Sequence, residues 1–171
     1  PVLHVDEQSR RLFLFYSESK LCVRKAVPDE NGTMPEIGDR SLPGGDIKMT
    51  SLQMGEPGNF TWLRQVRWEP PRTILMQGQP GIGEGAIPKV IANPMLVLST
   101  GEWLLPYWKE PHEAPPCTKS APGAAGVLRS RDEGLHWRAH GNISHPRTWL
   151  IENSLVERSD GAVLMFFRTK V

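Results

Sequence analysis

One carboxylate and one guanidinium flank the last apolar segment of the sequence, and together they could bind and act on an acidic ligand. Glu152 precedes this segment, and Arg168 follows five consecutive apolar residues. A planar guanidinium pairs well with a carboxylate ligand, and a neighbouring carboxylate can take a proton from a nucleophile. Because an arginine buried without a partner is costly, we expect Arg168 to face a polar pocket.

The segment between these two residues predicts a β-hairpin. Asp-Gly at 160–161 separates apolar runs at 155–156 and 163–167, and this dipeptide is a strong turn signal in that setting. An antiparallel register would bring Glu152 and Arg168 to the same open end of the hairpin. Two plainer alternatives remain open: an ordinary carboxylate at a strand end, or a purely structural ion pair between the two residues.

A second motif precedes the hairpin. Residues 130–137 have the form Ser-x-Asp-x-Gly-x-x-Trp. Asp132 can accept hydrogen bonds from backbone N–H groups of its own turn, and Gly134 can supply a left-handed φ. Trp137 then begins the returning strand as an apolar anchor. The octet therefore predicts a sealed turn between two antiparallel strands.

These two motifs resemble the sialidase superfamily in its Asp-box (BNR-repeat) branch. The octet matches the Asp box, and the stretch 152–168 is similar to a sialidase segment that carries an acidic residue, a hairpin and an active-site arginine. The resemblance is specific over 128–171 and looser over 86–110. It implies a glycoside hydrolase of the exo-α-sialidase type, acting on an acidic sugar.

The resemblance also implies roles for three residues. Sialidases hold the sugar carboxylate with several arginines and use a tyrosine nucleophile activated by a glutamate. By position, Arg168 matches one of these arginines, Glu152 matches the glutamate, and Tyr107 matches a substrate-contacting aromatic. Glu152 and Arg168 are thus the candidate catalytic residues, and Arg168 and Tyr107 the candidate substrate-binding residues, although packing is the plainer role for Tyr107. Ile151 departs from the asparagine that sialidases usually have before this glutamate.

The rhythm of apolar runs and turn residues predicts an all-β chain with an internal repeat. The hairpin around Gly101 superposes on the hairpin around Gly161. Sheets of this size cannot bury both faces alone, and radial packing around an axis solves that problem. We expect a partial β-propeller of sialidase type, with about two and a half four-stranded antiparallel blades of a six-bladed parent. The blades are expected at about 1–72 and 86–144, with half a blade at 148–171.

Several local elements are predicted within the first unit and between units. Strands are expected at 21–27 and 62–68, the latter because apolar and polar residues alternate there. The link before the second strand resembles an eroded copy of the octet, in which Asn59 takes the left-handed φ. The Pro- and Gly-rich stretches 28–46 and 109–126 are expected to be loops.

Composition and charge exclude several classes of partner. Lys and Arg number 20 against 19 for Asp and Glu, so neither nucleic acid nor a membrane surface is indicated. No apolar run of about 18 residues predicts a membrane span. The Gly-rich stretch 78–85 lacks the Gly-Lys-Ser/Thr of a phosphate loop, and His136 and His140 lack a third metal ligand. We therefore expect no cofactor and no metal, and the resemblance to sialidases implies a glycan or acidic sugar as the partner.

The cysteines and the N-glycosylation sequons bear on the cellular location of the protein. Cys22 and Cys117 could form a disulfide or remain two thiols. Sequons at Asn31, Asn59 and Asn142 favour the secretory pathway or an extracellular location, with ordinary turn asparagines as the plainer alternative. We expect the chain to be a fragment, inactive alone and prone to aggregation through exposed blade edges.

Two functions from different classes follow. The first is a sialidase-like glycoside hydrolase, supported by Glu152 and Arg168. The alternative is a non-catalytic Asp-box propeller module that binds glycans or proteins, supported by the altered flank at Ile151 and by the long loops. The oligomeric state is left open.

Overall fold

The computed structural model describes residues 1–18, 31, 45–59, 61–77, 79, 82, 86–90, 93–111 and 123–170. Within these ranges the regular elements are strands and one short 3₁₀ helix, which confirms the all-β prediction. The predicted strand at 21–27 and both cysteines lie outside the described residues. No helix in the described ranges is long and apolar enough to cross a membrane. The elements are β1 (Val2–Asp6), β2 (Arg11–Ser17), β3 (Ile47–Gln53), a 3₁₀ helix (Thr61–Gln65), β4 (Arg72–Leu75), β5 (Ala86–Lys89), β6 (Leu96–Val97), β7 (Trp103–Pro111), β8 (Ala124–Ser130), β9 (Arg138–Ser144), β10 (Trp149–Glu157) and β11 (Val163–Lys170).

The first sheet has the antiparallel strand order β1-β2-β3-β4. A tight turn joins β1 to β2, and Asp6 organises it by accepting a hydrogen bond from the backbone N–H of Gln8 at 3.1 Å. Side chains alternate along β2, so that Phe13 and Phe15 are buried while their neighbours are partly exposed. This alternation directs one face of the first sheet toward the rest of the molecule.

The strand predicted at 62–68 was wrong. The residues Thr61–Gln65 form a 3₁₀ helix, and the fourth strand begins at Arg72. The side-chain oxygen of Asn59 accepts hydrogen bonds from the N–H and hydroxyl of Thr61, at 3.1 and 2.7 Å. Such a cap starts a helical turn and overrides the alternating pattern. The left-handed φ predicted for Asn59 is also wrong: in this link it is Gly58 that has a left-handed φ, of 78°.

The second sheet has the order β5-β7-β8-β9, and β6 also pairs with β7. The strand β7 alternates between the two faces of the sheet. Trp103, Leu105 and Tyr107 belong to the core shared with the first sheet. Trp108, on the opposite face, belongs to a smaller core shared with β10 and β11. The second sheet therefore lies between two partners, and β7 buries side chains on both faces while the edge strand β9 stays exposed.

Aromatic side chains and one arginine hold the first two sheets together. The ring of Phe13 meets Trp103 edge-on at 5.2 Å, and Phe15 meets Trp137 edge-on at 5.6 Å, both favourable aromatic geometries. Arg72, on the edge strand β4, donates from Nη1 to the Leu135 carbonyl at 2.7 Å and from Nη2 to the Gly134 carbonyl. The guanidinium thus ties β4 to the turn 130–137 of the second sheet.

The strands β10 and β11 form the predicted hairpin, called the ribbon below. Its turn places Gly161 at φ 81°, and the Gly161 N–H donates to the Arg158 carbonyl at 2.9 Å. One face packs on the second sheet through Leu150, supported by Met165 and Phe167. The other face is open, and it carries three exposed apolar side chains: Val156, Leu164 and Phe166.

Candidate functional site

A β-bulge in β10 shapes the open end of the ribbon. Ile151 pairs with Arg168 and Ser154 pairs with Phe166, so two residues of β10 stand opposite Phe167 alone. Glu152 is the first of these two residues and has a left-handed φ of 50°. In an unbroken register Glu152 would pair with Phe167 and face away from Arg168, because successive side chains alternate between faces. The bulge therefore redirects the Glu152 side chain.

The redirected carboxylate contacts the guanidinium that the sequence pairs with it. Nη1 of Arg168 lies 2.8 Å from Oε1 and 2.9 Å from Oε2 of Glu152. The side chains are 65% and 32% exposed, respectively, so the pair lies at the surface. The hydrogen bond and charge of Glu152 raise the pKa of the Arg168 guanidinium above its usual value. The predicted meeting of the two residues at the open end of the ribbon is thus confirmed.

Only one nitrogen of Arg168 is used in this pair. Among the residues described, Nη2 and Nε of Arg168 have no hydrogen-bond partner. A guanidinium presents two further donors along that edge, in a geometry that matches a carboxylate. The site can therefore hold a second planar anion on Arg168 while Glu152 remains in place.

Two asparagines that sequence analysis did not select hold the bulge. Nδ2 of Asn93 donates to the Glu152 carbonyl at 2.5 Å and to the Asn153 carbonyl at 3.0 Å. Asn153 is 1% exposed, and its own Nδ2 donates to the Gly126 carbonyl at 3.0 Å. The two bonds from Asn93 supply partners for carbonyl groups of the bulge, and the bond from Asn153 ties the bulge to β8. The left-handed Glu152 is thus fixed by two neighbouring segments of the second sheet.

The asparagine contacts could not be seen in the sequence because they join distant residues. Asn93 precedes a turn proline and reads as a loop residue, and Asn153 reads as one polar position in a strand. One signal was present: an asparagine amid the apolar strand 149–156 is expected to be hydrogen-bonded when buried. The Oδ1 atom of Asn153 is buried without a partner in the described ranges.

Tyr107, the predicted substrate-contacting aromatic, lies in the core between the first two sheets. Its side chain is 1% exposed, and burial raises its pKa to about 12. Its ring packs closely over Gly126, where an added Cβ would lie 3.2 Å from the ring. The Gly126 carbonyl also accepts the hydrogen bond from Nδ2 of Asn153. Tyr107 therefore supports the strand on which the bulge rests, and in this structure its ring does not face the surface beside Arg168.

The octet 130–137 forms the predicted turn, at the opposite end of the second sheet from the bulge. The Asp132 carboxylate accepts the His136 N–H at 2.8 Å and the Ser130 hydroxyl at 2.8 Å. Hydrogen bonds from the backbone and ring of His136, followed by Ser130, lower the pKa of Asp132 to about 2. Nε1 of Trp137 donates to the Gly134 carbonyl at 2.9 Å and seals the turn. The octet is a structural unit and contributes nothing to the bulge.

The described part of the chain offers no cluster of three His, Cys, Asp or Glu side chains that could hold a metal ion. The fold and the site together define an all-β protein of stacked antiparallel sheets, in which a surface carboxylate and a guanidinium are held together on a bulged ribbon. Comparison with models of known protein families, and with curated protein sequences, gave no match for this chain.

Proposed function

We propose that the open end of the ribbon binds an acidic sugar through Arg168, as part of a sialidase-like glycoside hydrolase. The observation that carries the proposal is the Arg168 guanidinium, held by Glu152 through one nitrogen and open along its other edge. A sugar carboxylate can take that edge as a bidentate ligand. We also propose that the fold is part of a sialidase-type propeller, in which the two stacked sheets are successive blades and the ribbon is half of the next blade.

Glu152 has two roles in this proposal. Its negative charge orients Arg168, and its carboxylate is the proton acceptor that a tyrosine nucleophile would require. The sequence has two tyrosines, and neither donates a hydrogen bond to Glu152 in the described residues. Attack on a sugar would therefore need a nucleophile from outside the described part of the protein.

Binding is tested first, on the chain itself. Saturation-transfer NMR with N-acetylneuraminic acid should show contact with wild type, and Arg168→Ala should abolish it because the guanidinium that holds the sugar carboxylate is lost. Arg158→Ala is a matched control, since Arg158 lies at the turn end of the same ribbon and pairs with Asp160. Equal signals from wild type and Arg168→Ala would reject the proposed site.

Turnover is tested separately, on the full-length protein with a fluorogenic sialoside. Glu152→Gln keeps the shape of the side chain and removes its basicity. Hydrolysis should fall by about two orders of magnitude or more, the usual contribution of a positioned base. Release of the fluorophore at the wild-type rate by Glu152→Gln would remove the catalytic role from Glu152.

The alternative function, a non-catalytic module that binds glycans, is favoured by one observation. Both oxygens of Glu152 are already bound to Arg168, which leaves the carboxylate less available as a base. On a glycan array this alternative predicts binding without turnover that Glu152→Gln leaves unchanged and Arg168→Ala abolishes.

A further inference from the structure

A cluster of cationic side chains occupies the end of the second sheet where β8 and β9 meet the octet 130–137. A cleft of about 490 Å³ opens there, and every lining residue except one alanine carries a titratable group. The cleft is called the rim cleft below. It is lined by Arg129, Arg131, Asp132, His136, Arg138, Ala139 and His140.

The strand register places like charges opposite each other at this cleft. Arg129 on β8 is the direct cross-strand partner of Arg138 on β9. Directly opposed side chains share a face of the sheet, and like charges in that position are destabilising. An antiparallel pair normally avoids this arrangement unless a negative group lies between the two side chains.

One carboxylate is shared by two of the three arginines. Glu102 accepts Nε and Nη2 of Arg129 at 3.0 and 2.6 Å, and Nε of Arg131 at 2.5 Å. These bonds lower the pKa of Glu102, with Arg129 as the first cause. Arg138 has no hydrogen bond or ion pair with any described residue. Its charge therefore has no counterion within the described ranges.

The other acidic group of the cleft is already occupied. Asp132 accepts the His136 N–H on Oδ1 and lies 2.7 Å from the His136 ring through Oδ2. Among the described residues of the cleft, the carboxylates of Glu102 and Asp132 stand against three arginines, which leaves one positive charge uncompensated. The whole chain has a net charge of only +1, so this excess is a local feature.

We infer that the rim cleft binds a tetrahedral oxyanion, a sulfate or phosphate group carried on a small polar molecule. Donors reach the cleft from several directions: the free guanidinium of Arg138, the outer nitrogens of Arg131, which is 69% exposed, and the exposed ring of His140. A tetrahedral anion can accept from all of them, whereas a planar carboxylate suits a single fork. The volume exceeds a bare anion and fits a molecule the size of a sugar ester.

Calorimetric titration with sodium sulfate, against sodium chloride at equal ionic strength, tests the inference on the chain itself. Sulfate should bind saturably, and Arg138→Gln should weaken binding about tenfold, the loss expected for one charge-assisted contact. Arg147→Gln is the matched control, because Arg147 is exposed and makes no side-chain ion pair with described residues. Its affinity should equal that of wild type.

Two sugar esters identify the source of the anion. Glucose 6-phosphate and glucosamine 6-sulfate distinguish a phosphate from a sulfate ligand, and glucuronate provides a planar carboxylate for comparison. Arg131→Gln gives a second variant at the same cleft, should Arg138→Gln unfold in circular dichroism. Sulfate binding no stronger than chloride, unaltered affinity in both folded variants, or glucuronate binding as tight as the esters would each overturn the inference.

Discussion

The octet turn and the ribbon bulge both depend on residues with left-handed φ, but they are stabilised in different ways. In the octet, Glu133 and Gly134 have φ of 53° and 83°, and the bonds of Asp132, Ser130 and Trp137 stay within eight consecutive residues. In the bulge, Glu152 has φ of 50° and depends on bonds made by Asn93. A local motif can be read from sequence spacing, whereas a bulge fixed by distant segments cannot.

The largest expected effect tests the packing of the octet. Gly134→Ala should destabilise the chain by about 2–4 kcal/mol, because its φ is left-handed and the new Cβ would meet the Trp103 ring at 3.0 Å. Gly161→Ala separates the two causes, since its φ is 81° and no atom lies within 4 Å of its Cβ. The control should cost only about 1–2 kcal/mol in urea unfolding. Equal losses would show that contact with Trp103 is unimportant.

The next effect tests the distant support of the bulge. Asn93→Ala removes two hydrogen bonds to partly buried carbonyls and should cost about 1–3 kcal/mol. Binding of N-acetylneuraminic acid should weaken as well, since Glu152 then loses its fixed orientation. Asn142→Ala, at an exposed position of β9, serves as the control and should change neither quantity. Sugar binding that survives Asn93→Ala in folded protein would mean that the bulge does not position the site.

A smaller effect follows from the titration of Asp132. Its pKa is about 2 in the folded chain and 3.8 ordinarily. Because the folded value is the lower one, the unfolded chain binds more protons between these values. The lowered pKa of Asp132 contributes its full stabilisation of the folded chain above about pH 4, and this contribution is lost as the pH falls toward about 2. Asp132→Asn should flatten the dependence of the urea midpoint on pH in this window, and an unchanged dependence would contradict this role of Asp132.

The smallest effects compare the two left-handed glutamates directly. Glu133→Gly relieves backbone strain and removes no hydrogen bond in the described residues, so a gain of up to about 1 kcal/mol is expected. Glu152→Gly relieves similar strain but also removes the exposed ion pair with Arg168, worth about 0.2–1 kcal/mol. Its gain in thermal unfolding should therefore be smaller. A larger gain at Glu152 would show that the bulge, and not the octet, is the more strained of the two.

Local chemistry decided how much of the structure could be predicted. The Asp-Gly turn, the octet and the all-β class follow from turn residues and alternation, and the structure contains all three. The segment 62–68 failed because the cap made by Asn59 outweighed an alternating pattern. The candidate pair was predicted as a pair, but an unbroken register would have separated Glu152 from Arg168.

The remaining features of the site required three-dimensional contacts. Nothing in the spacing of Asn93 indicates that it binds the backbone of Glu152, because the two residues lie 59 positions apart. The burial of Tyr107 likewise depends on the docking of two sheets. The rim cleft also depends on Glu102, whose carboxylate pairs with Arg129 and Arg131 from 27 and 29 positions away in the sequence.

The extra residue in β10 changes the facing of its own side chain and leaves the facing of the residues on either side unchanged. Leu150 reaches the inner side before the bulge, and Leu155 lies opposite the partly buried Met165 after it. Deleting Asn153 would place Glu152 opposite Phe167 in an unbroken ladder, with both leucines still on the inner side and the carboxylate turned away from Arg168. The number of residues in this segment therefore decides whether the charged pair forms, and a one-residue deletion should abolish the pair while the apolar side of the ribbon stays docked.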